Sequence, residues 1–199
     1  GDVYKRQLLL SIPVLLWIAL YSYTKRFTFL CHIFLGSALA ASPLAAAIAI
    51  RPEALTELTL VGSAELGGFG TGATLLLISG MVLCWVAGFD IIYALQDLDF
   101  DRSVGLSSIP ARLGPTRAIW VSRALHALAF LFLILAAASD WRFGFLFDSA
   151  VGLVGILLIT EHVILTVRGK AGLDLAFFTL NGIVSCLLGA LGILDLLIN

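Results

Sequence analysis

The chain has 199 residues, of which 60% are hydrophobic and 13% are charged. A soluble domain is typically about 45–50% apolar and about 25% charged, so this composition predicts an integral membrane protein. Lysine and arginine together number 12, against 13 aspartates and glutamates. This balance provides no excess of positive charge for a nucleic-acid backbone. We therefore expect membrane lipid around the chain and no nucleic-acid partner.

The first seven residues read GDVYKRQ and lead directly into an apolar run. The single methionine is Met81, and the run ends in a basic segment rather than in the small-residue cleavage site of a secretory signal. We expect residues 1–7 to be the head of a truncated chain. Residues 8–199 are expected to form one transmembrane domain.

Six apolar stretches have lengths suited to crossing a bilayer. A helical span needs roughly 20 apolar residues, and a strand in lipid would leave backbone groups unpaired, so each stretch predicts a helix. The first stretch is shorter, which fits a helix that has lost its beginning. The predicted fold class is all-α, a polytopic bundle of transmembrane helices. The predicted spans are about 8–22, 28–50, 73–97, 117–139, 145–167 and 174–197.

More of the lysines and arginines between the spans fall on the side that carries residues 98–116. Because such residues are enriched in cytoplasmic loops, the 98–116 loop is predicted to face the cytoplasm. The membrane is expected to be a bacterial inner membrane. Small residues on the spans indicate surfaces where helices approach closely. The glycines concerned are Gly36, Gly152, Gly155, Gly189 and Gly192.

Four acidic residues fall within the twelve positions from 90 to 101. On one continuous helix, at about 100° per residue, Asp90, Asp97 and Asp101 share a face with Tyr93, whereas Asp99 points away. Carboxylates at the membrane edge are costly, and they repel one another unless a cation joins them. Asp97 and Asp101 lie one turn apart, a spacing that suits Mg²⁺ completed by water and phosphate oxygens.

Basic and hydroxyl side chains flank the acidic cluster. After it comes a loop punctuated by Gly and Pro, and its arginine and serine side chains suit a bound phosphate. Before it, Tyr21 and Lys25 lie one turn apart, with Arg26 beside them at the membrane edge. Together these groups predict a site for a diphosphate whose hydrophobic tail lies in the bilayer. The predicted substrate-binding residues on these two segments are Tyr21, Lys25, Arg26, Arg102, Ser108 and Arg112.

Simpler interpretations remain open for these groups. The acids also suit a helix cap and a salt-bridge cluster with Arg102, Arg112 or Lys25. The basic segment before them also suits a positive-inside anchor with an interfacial tyrosine.

Polar residues elsewhere in the spans carry their own predictions. His32 favours a packed, hydrogen-bonded side chain, and Asn181 favours a link between helices over a contact with an aromatic acceptor. Glu161 and His162 are expensive in a membrane helix and are expected to pair with their neighbours or with Arg168. No partner is evident for His126.

The chain resembles the UbiA family of intramembrane aromatic prenyltransferases. Residues 90–101 are similar to the family's second aspartate-rich motif, and residues 105–114 are similar to the segment that follows that motif. Residues 21–26, YSYTKR, are similar to its YxxxK element. Residues 161–162 and 176–181 resemble segments of the 4-hydroxybenzoate-type members.

The resemblance implies a bundle of nine helices, of which the six here are equivalent to the last six. It also implies a first aspartate-rich motif, NDxxDxxxD, which does not occur in the 199 residues. The chain alone is therefore expected to be inactive. The implied activity is Mg²⁺-dependent transfer of a polyprenyl group from polyprenyl diphosphate to an aromatic acid such as 4-hydroxybenzoate, for ubiquinone or menaquinone biosynthesis.

The resemblance also implies roles for individual residues. Asp97 and Asp101 would hold Mg²⁺, and the basic residues Lys25, Arg26 and Arg112 would hold the leaving diphosphate. Asp90 would orient or deprotonate the acceptor. Tyr21 and Tyr93 would hydrogen-bond the diphosphate or offer a ring face to the allylic cation.

Two alternative functions compete with this one. A CDP-alcohol phosphotransferase also uses Mg²⁺, but its Asp-Gly and Ala-Arg pairs are missing before Asp97. A cation-coupled transporter would use Asp90, Asp97 and Asp101 as a cation pathway. That function predicts polar residues along the other spans, which carry few.

Overall fold

The computed structural model describes residues 2–56 and 71–198, without the side chains of residues 2–7 and 170. Two 3₁₀ segments, Pro52–Thr56 and Gly169–Gly172, and a π-helical segment, Leu175–Leu180, connect or extend the helices. Within the described ranges the α-helices are α1 (Asp2–Thr24), α2 (Cys31–Ile50), α3 (Thr71–Tyr93), α4 (Leu98–Ser103), α5 (Ile109–Leu113), α6 (Pro115–Ser139), α7 (Phe145–Arg168) and α8 (Asn181–Ile198).

Five helical segments of the described chain are long and apolar enough to cross a membrane. They are α2, α3, α6, α7 and the segment Leu175–Ile198, which joins the π-helical turn to α8. The apolar part of α1, Leu8–Thr24, is shorter, as predicted. The all-α membrane bundle predicted from the apolar runs is confirmed. Residues 2–7 of the predicted head form the first turns of α1.

Helix α3 lies at the centre of the bundle, packed against α2 on one side and α6 on the other. The main core joins its residues Met81 and Cys84 to Leu133 of α6, Val154 of α7 and Val184 of α8. At the other side of the bundle, α1 packs on α2, and the indole of Trp17 donates a hydrogen bond to Ser37 Oγ at 2.9 Å. This packing brings the ends of α1, α2 and α3 together.

Glycines set the closest approaches between these helices. A Cβ at Gly36 would collide with the backbone of Leu83 on α3, and one at Gly155 would lie 2.8 Å from the ring of Phe130. The predicted packing role is confirmed at these two positions and at Gly192, which lies against Phe147. It is wrong for Gly152 and Gly189, because no described atom of another helix lies within 4 Å of a Cβ built there.

The third predicted span ends earlier than the sequence pattern indicates. Helix α3 stops at Tyr93, and the N–H groups of residues 95, 96 and 97 then donate to carbonyls three residues back, at 3.0–3.2 Å. Such a tightened turn advances about 120° per residue instead of about 100°, so the prediction of one continuous helical face from Asp90 to Asp101 is wrong. The pair Asp97 and Asp101 keeps its one-turn spacing, because the N–H of Asp101 donates to the carbonyl of Asp97 at 2.7 Å as α4 begins.

The close approach of α2 to α3 predicts the effect of a matched pair of substitutions. Gly36→Ala should lower the free energy of unfolding by about 1–3 kcal/mol, because the added methyl group meets backbone that cannot move aside. Gly152→Ala, where there is room, should be neutral or stabilising by about 0.5–1 kcal/mol, since alanine is the better helix former. Thermal unfolding of the protein in one detergent measures both, and equal stability of the two variants would contradict the packing described.

Candidate active site

Lys25 forms ion pairs with two of the predicted metal-binding aspartates. Its Nζ lies 3.2 Å from Oδ2 of Asp101 and 3.6 Å from Oδ2 of Asp97. The Asp101 side chain is 1% exposed, whereas the Asp97 side chain is 50% exposed. The carbonyl of Lys25 also accepts a hydrogen bond from the N–H of Ser107 at 2.7 Å. The segment after α1 is therefore tied both to the acids and to the loop that follows them.

The Lys25 ammonium remains cationic in this position. Burial disfavours the charged form, but attraction to Asp101, a hydrogen bond to the same carboxylate and attraction to Asp97 outweigh it. The pKa of Lys25 is consequently raised above its ordinary value. Of the simpler interpretations of the acidic cluster, the salt bridge to Lys25 is confirmed.

The two carboxylates also suit a magnesium ion by their chemistry. Within the described ranges, no three His, Cys, Asp or Glu side chains converge to make a complete metal site. Magnesium, however, is usually held by one or two carboxylates and keeps water and substrate phosphate oxygens as its other ligands. Asp97 and Asp101, one turn apart and already gathered around a cation, match that donor set.

A cavity of about 270 Å³ opens beside this cluster. It is lined by residues from the end of α1, the start of α2 and the end of α3. Predicted site residues from separate parts of the sequence therefore share one cavity. The lining residues are Tyr21, Ser22, Lys25, Cys31, Asp90, Tyr93, Ala94 and Asp97.

A buried histidine on α2 contacts Asp90. His32 Nδ1 lies 2.7 Å from Asp90 Oδ2, and His32 Nε2 accepts a hydrogen bond from the N–H of Ile109 at 3.3 Å. The imidazole is fully buried, while the Asp90 side chain is 22% exposed and faces the cavity. The prediction of a packed, hydrogen-bonded histidine is confirmed. Sequence reasoning did not link His32 to the site, and no spacing rule connects residues 58 positions apart.

Aromatic rings continue from the cavity into the bundle. The Tyr93 ring stacks on Phe177 with centroids 4.2 Å apart, and Phe177 meets Phe89 edge-on at 5.4 Å. Asn181 holds this region together, because its amide oxygen accepts from the Trp85 indole at 2.8 Å and its amide nitrogen donates to the carbonyl of Phe177 at 3.0 Å. The predicted helix-linking role of Asn181 is confirmed, whereas its contact with substrate stays a prediction.

The three predicted arginines lie outside the cavity lining. Arg26 is exposed above the ring of Tyr23 at 5.4 Å, and Arg112 is exposed above Phe29 at 4.4 Å. The exposed Arg102 donates from Nε to a backbone carbonyl at 3.4 Å. Their phosphate-binding roles stay predictions.

Ser108 has a structural contact that the sequence analysis did not identify. Its buried hydroxyl caps α5 by accepting from the N–H of Ala111 at 3.2 Å. The predicted contact of this hydroxyl with substrate has no counterpart in the geometry and stays a prediction.

A second polar cluster lies between α6 and α7, apart from the cavity. His126 Nδ1 is 3.1 Å from His162 Nε2 and 3.7 Å from Glu161 Oε2. Sequence reasoning found no partner for His126, because the partners lie on another helix. Glu161 and His162 pair across to α6 and thereby join the two helices.

Comparison with known proteins adds to this geometry. A model of the UbiA prenyltransferase family matches residues 6–190. The chain belongs to this family. A 4-hydroxybenzoate octaprenyltransferase of Alcanivorax borkumensis is 32% identical over 140 residues, which are 70% of this chain and 41% of that protein. The apo structure of a UbiA homolog from Aeropyrum pernix K1 is 33% identical with a TM-score of 0.75.

The coverage of these relatives is unequal. The similarity to the Aeropyrum structure covers 94% of this chain and 63% of that one. This UbiA family chain thus spans less than two thirds of each of the two relatives. The match to the Aeropyrum homolog agrees with the helical membrane bundle described above.

The ion pairs of Lys25 predict its contribution to stability. Lys25→Met should lower the free energy of unfolding by roughly 2–3 kcal/mol, because it leaves the buried Asp101 carboxylate without its cation. Arg26→Met is the matched control, since Arg26 is exposed, and its effect should be about 0.5 kcal/mol or less. Denaturation in detergent measures both. Equal stability of the two variants would show that Asp101 does not depend on Lys25.

The raised pKa of Lys25 predicts a dependence on pH. A lysine whose pKa is higher in the folded protein stabilises it fully below its unfolded pKa of about 10.4 and loses that effect as the pH rises through the folded pKa. The stability difference between the wild type and Lys25→Met should therefore be constant at neutral pH and shrink in strong alkali. Thermal unfolding from pH 7 to 11.5 tests this, and a difference that grows with pH would contradict it.

Proposed function

We propose that the protein acts in transferring a polyprenyl group from a polyprenyl diphosphate to an aromatic acid such as 4-hydroxybenzoate, in quinone biosynthesis. The observation that carries the proposal is the cavity beside Lys25, Asp97 and Asp101, with Asp90 and Tyr93 on its wall. A charged cluster of one ammonium and two carboxylates beside a cavity at the ends of apolar helices fits a substrate with a charged head and an apolar tail. Family membership favours this function over the phosphotransferase and transporter alternatives.

The basic side chains bind the diphosphate in this proposal. Lys25 has a flexible stem and a 31% exposed side chain, so its ammonium can turn from Asp101 to a phosphate oxygen in the cavity. Arg26 and Arg112 now lie over aromatic rings, and such a contact contributes only about 0.5–1 kcal/mol at exposed sites. A charge-assisted, two-point hydrogen bond to phosphate is stronger, so both arginines are available to it.

Magnesium held by Asp97 and Asp101 would neutralise the diphosphate and make it a better leaving group. The electron pair of the breaking C–O bond stays on the diphosphate, where the cationic Lys25 stabilises the growing charge. The allylic carbon then bonds to a ring carbon of the acceptor, which loses its proton. Tyr93, stacked on Phe177, and the partly buried Tyr21 border the place where this happens and limit the access of water.

The acceptor hydroxyl is expected at Asp90. A carboxylate repels a diphosphate but accepts a hydrogen bond from a phenol. Asp90 lies on the same cavity wall as Tyr93, deeper along α3 than the ion pairs of Lys25. The two substrates would therefore occupy different ends of the cavity.

Two further points complete the proposal. The family's first aspartate-rich motif is absent from the 199 residues, so we propose that this chain alone binds diphosphate without transferring the prenyl group. The larger number of lysines and arginines on the side that carries the 98–116 loop supports a site that faces the cytoplasm. We propose that the membrane is a bacterial inner membrane.

Substitution of single aspartates tests the function. In the full-length protein, Asp97→Asn and Asp101→Asn should each reduce Mg²⁺-dependent prenyl transfer to 4-hydroxybenzoate by about a hundredfold or more, because each removes a carboxylate from the diphosphate end. Radiolabelled polyprenyl diphosphate in isolated membranes provides the assay.

Asp99→Asn is the matched control, since Asp99 is exposed and does not line the cavity. Its activity should stay within a few-fold of wild type. Equal losses at all three positions would show that general charge in this loop, rather than the Asp97 and Asp101 pair, supports transfer.

A further inference from the structure

The hydrogen bonds of His32 define which of its nitrogens carries the proton. The backbone N–H of Ile109 can only donate, so Nε2, which lies 3.3 Å away, accepts and is unprotonated. Nδ1 then carries the proton of the neutral ring and donates it to Asp90 Oδ2 at 2.7 Å. The imidazole is fully buried and is held at both ends, so it has no freedom to turn.

These bonds determine how Asp90 meets the cavity. Oδ2 is occupied by His32, and within the described part of the chain no hydrogen bond engages Oδ1. The carboxylate is 22% exposed and lines the cavity. The other titratable groups that line the cavity are Tyr21 of α1, Lys25 after α1, Cys31 of α2, Tyr93 of α3 and Asp97. Because His32 engages only Oδ2, the other carboxylate oxygen is left to accept a hydrogen bond from a group in the cavity.

The same bonds join three elements. His32 lies on the first turn of α2, Asp90 on α3, and Ile109 at the start of α5, beyond the acidic loop. Asp90 is therefore oriented by the His32 side chain, and the second ring nitrogen of His32 is hydrogen-bonded to the backbone at the start of α5. A displacement of α5 would move the imidazole and with it the carboxylate.

We propose that His32 is a positioning residue for the aromatic substrate: it holds the Asp90 carboxylate in one orientation, so that the oxygen left open to the cavity accepts a hydrogen bond from the hydroxyl group of a phenolic acceptor. This inference rests on the proposed function. It adds that the site recognises the acceptor by its hydroxyl group. Asp90 repels the carboxylate end of a hydroxybenzoate, so the hydroxyl end must face α3. The site therefore selects phenols over their methyl ethers.

Two substitutions of His32 separate positioning from packing. Glutamine carries one amide donor and one carbonyl acceptor, so His32→Gln can keep both hydrogen bonds, whereas His32→Phe fills the volume and keeps neither. In the full-length protein, His32→Phe should raise the KM for 4-hydroxybenzoate by about tenfold or more and leave the KM for polyprenyl diphosphate within twofold. His32→Gln should restore most of the acceptor affinity, a rescue that general packing would not give.

Methyl ether discrimination gives a second kinetic measurement. In the wild type, the inhibition constant of 4-methoxybenzoate should be at least about tenfold higher than the KM for 4-hydroxybenzoate. In His32→Phe the ratio of these two constants should fall toward one. If His32→Phe does not fold, Asp90→Asn, which changes the cavity end of the same hydrogen bond, should show the same loss of discrimination between the phenol and its methyl ether. Unchanged acceptor KM and an unchanged ratio would overturn the proposal.

A spectroscopic test does not depend on activity. The chain has three histidines, and nitrogen-15 labelling in detergent micelles, with His32→Gln for assignment, should show His32 protonated at Nδ1 and not at Nε2. In Asp90→Ala the Nδ1 signal should shift. A ring protonated at Nε2 would overturn the inference. Absence of any prenyl transfer by the full-length wild type would instead refute the proposed function, and the two failures are thus distinguishable.

Discussion

The interaction on which the site depends is the pair of ion contacts from Lys25 to Asp97 and Asp101. Two carboxylates one helical turn apart at the edge of a membrane repel each other and are poorly hydrated when buried, as Asp101 is. The ammonium removes that repulsion. Because Lys25 follows α1 and the acids open α4, the same contacts close one end of the cavity and determine where its charged group lies.

Packing in the middle of the bundle makes this arrangement possible. Lipid provides no hydrophobic drive between helices, so close approach depends on small residues and buried hydrogen bonds. Gly36 lets α2 lie directly on α3, and His32, one turn earlier, then reaches Asp90. Gly88 similarly leaves room for the His126 ring of α6. The small residues of the core thus allow α2 and α6 to lie close to α3, and this packing determines where the side chains of the site lie.

The sequence predicted the spans well, because bilayer thickness imposes a length of apolar residues that is visible in any chain. It also predicted that Tyr21, Lys25, Asp90, Tyr93 and Asp97 belong together. It placed the end of the third helix wrongly. A fixed rotation of about 100° per residue assumes hydrogen bonds to carbonyls four residues back, whereas after Tyr93 they go to carbonyls three residues back. Contacts between distant helices escaped it as well: the partners of His32 and His126 depend on how helices pack, which periodicity along one helix does not contain.

The central claim is that Asp97 and Asp101 bind a divalent cation together with a diphosphate. Electron paramagnetic resonance of Mn²⁺, added to the chain in lipid nanodiscs with inorganic pyrophosphate, measures this binding without need of turnover. The account predicts that pyrophosphate tightens Mn²⁺ binding to the wild type, and that this effect is lost when both aspartates are replaced by asparagine. Binding of equal strength in the wild type and the double variant, or binding indifferent to pyrophosphate, would contradict it.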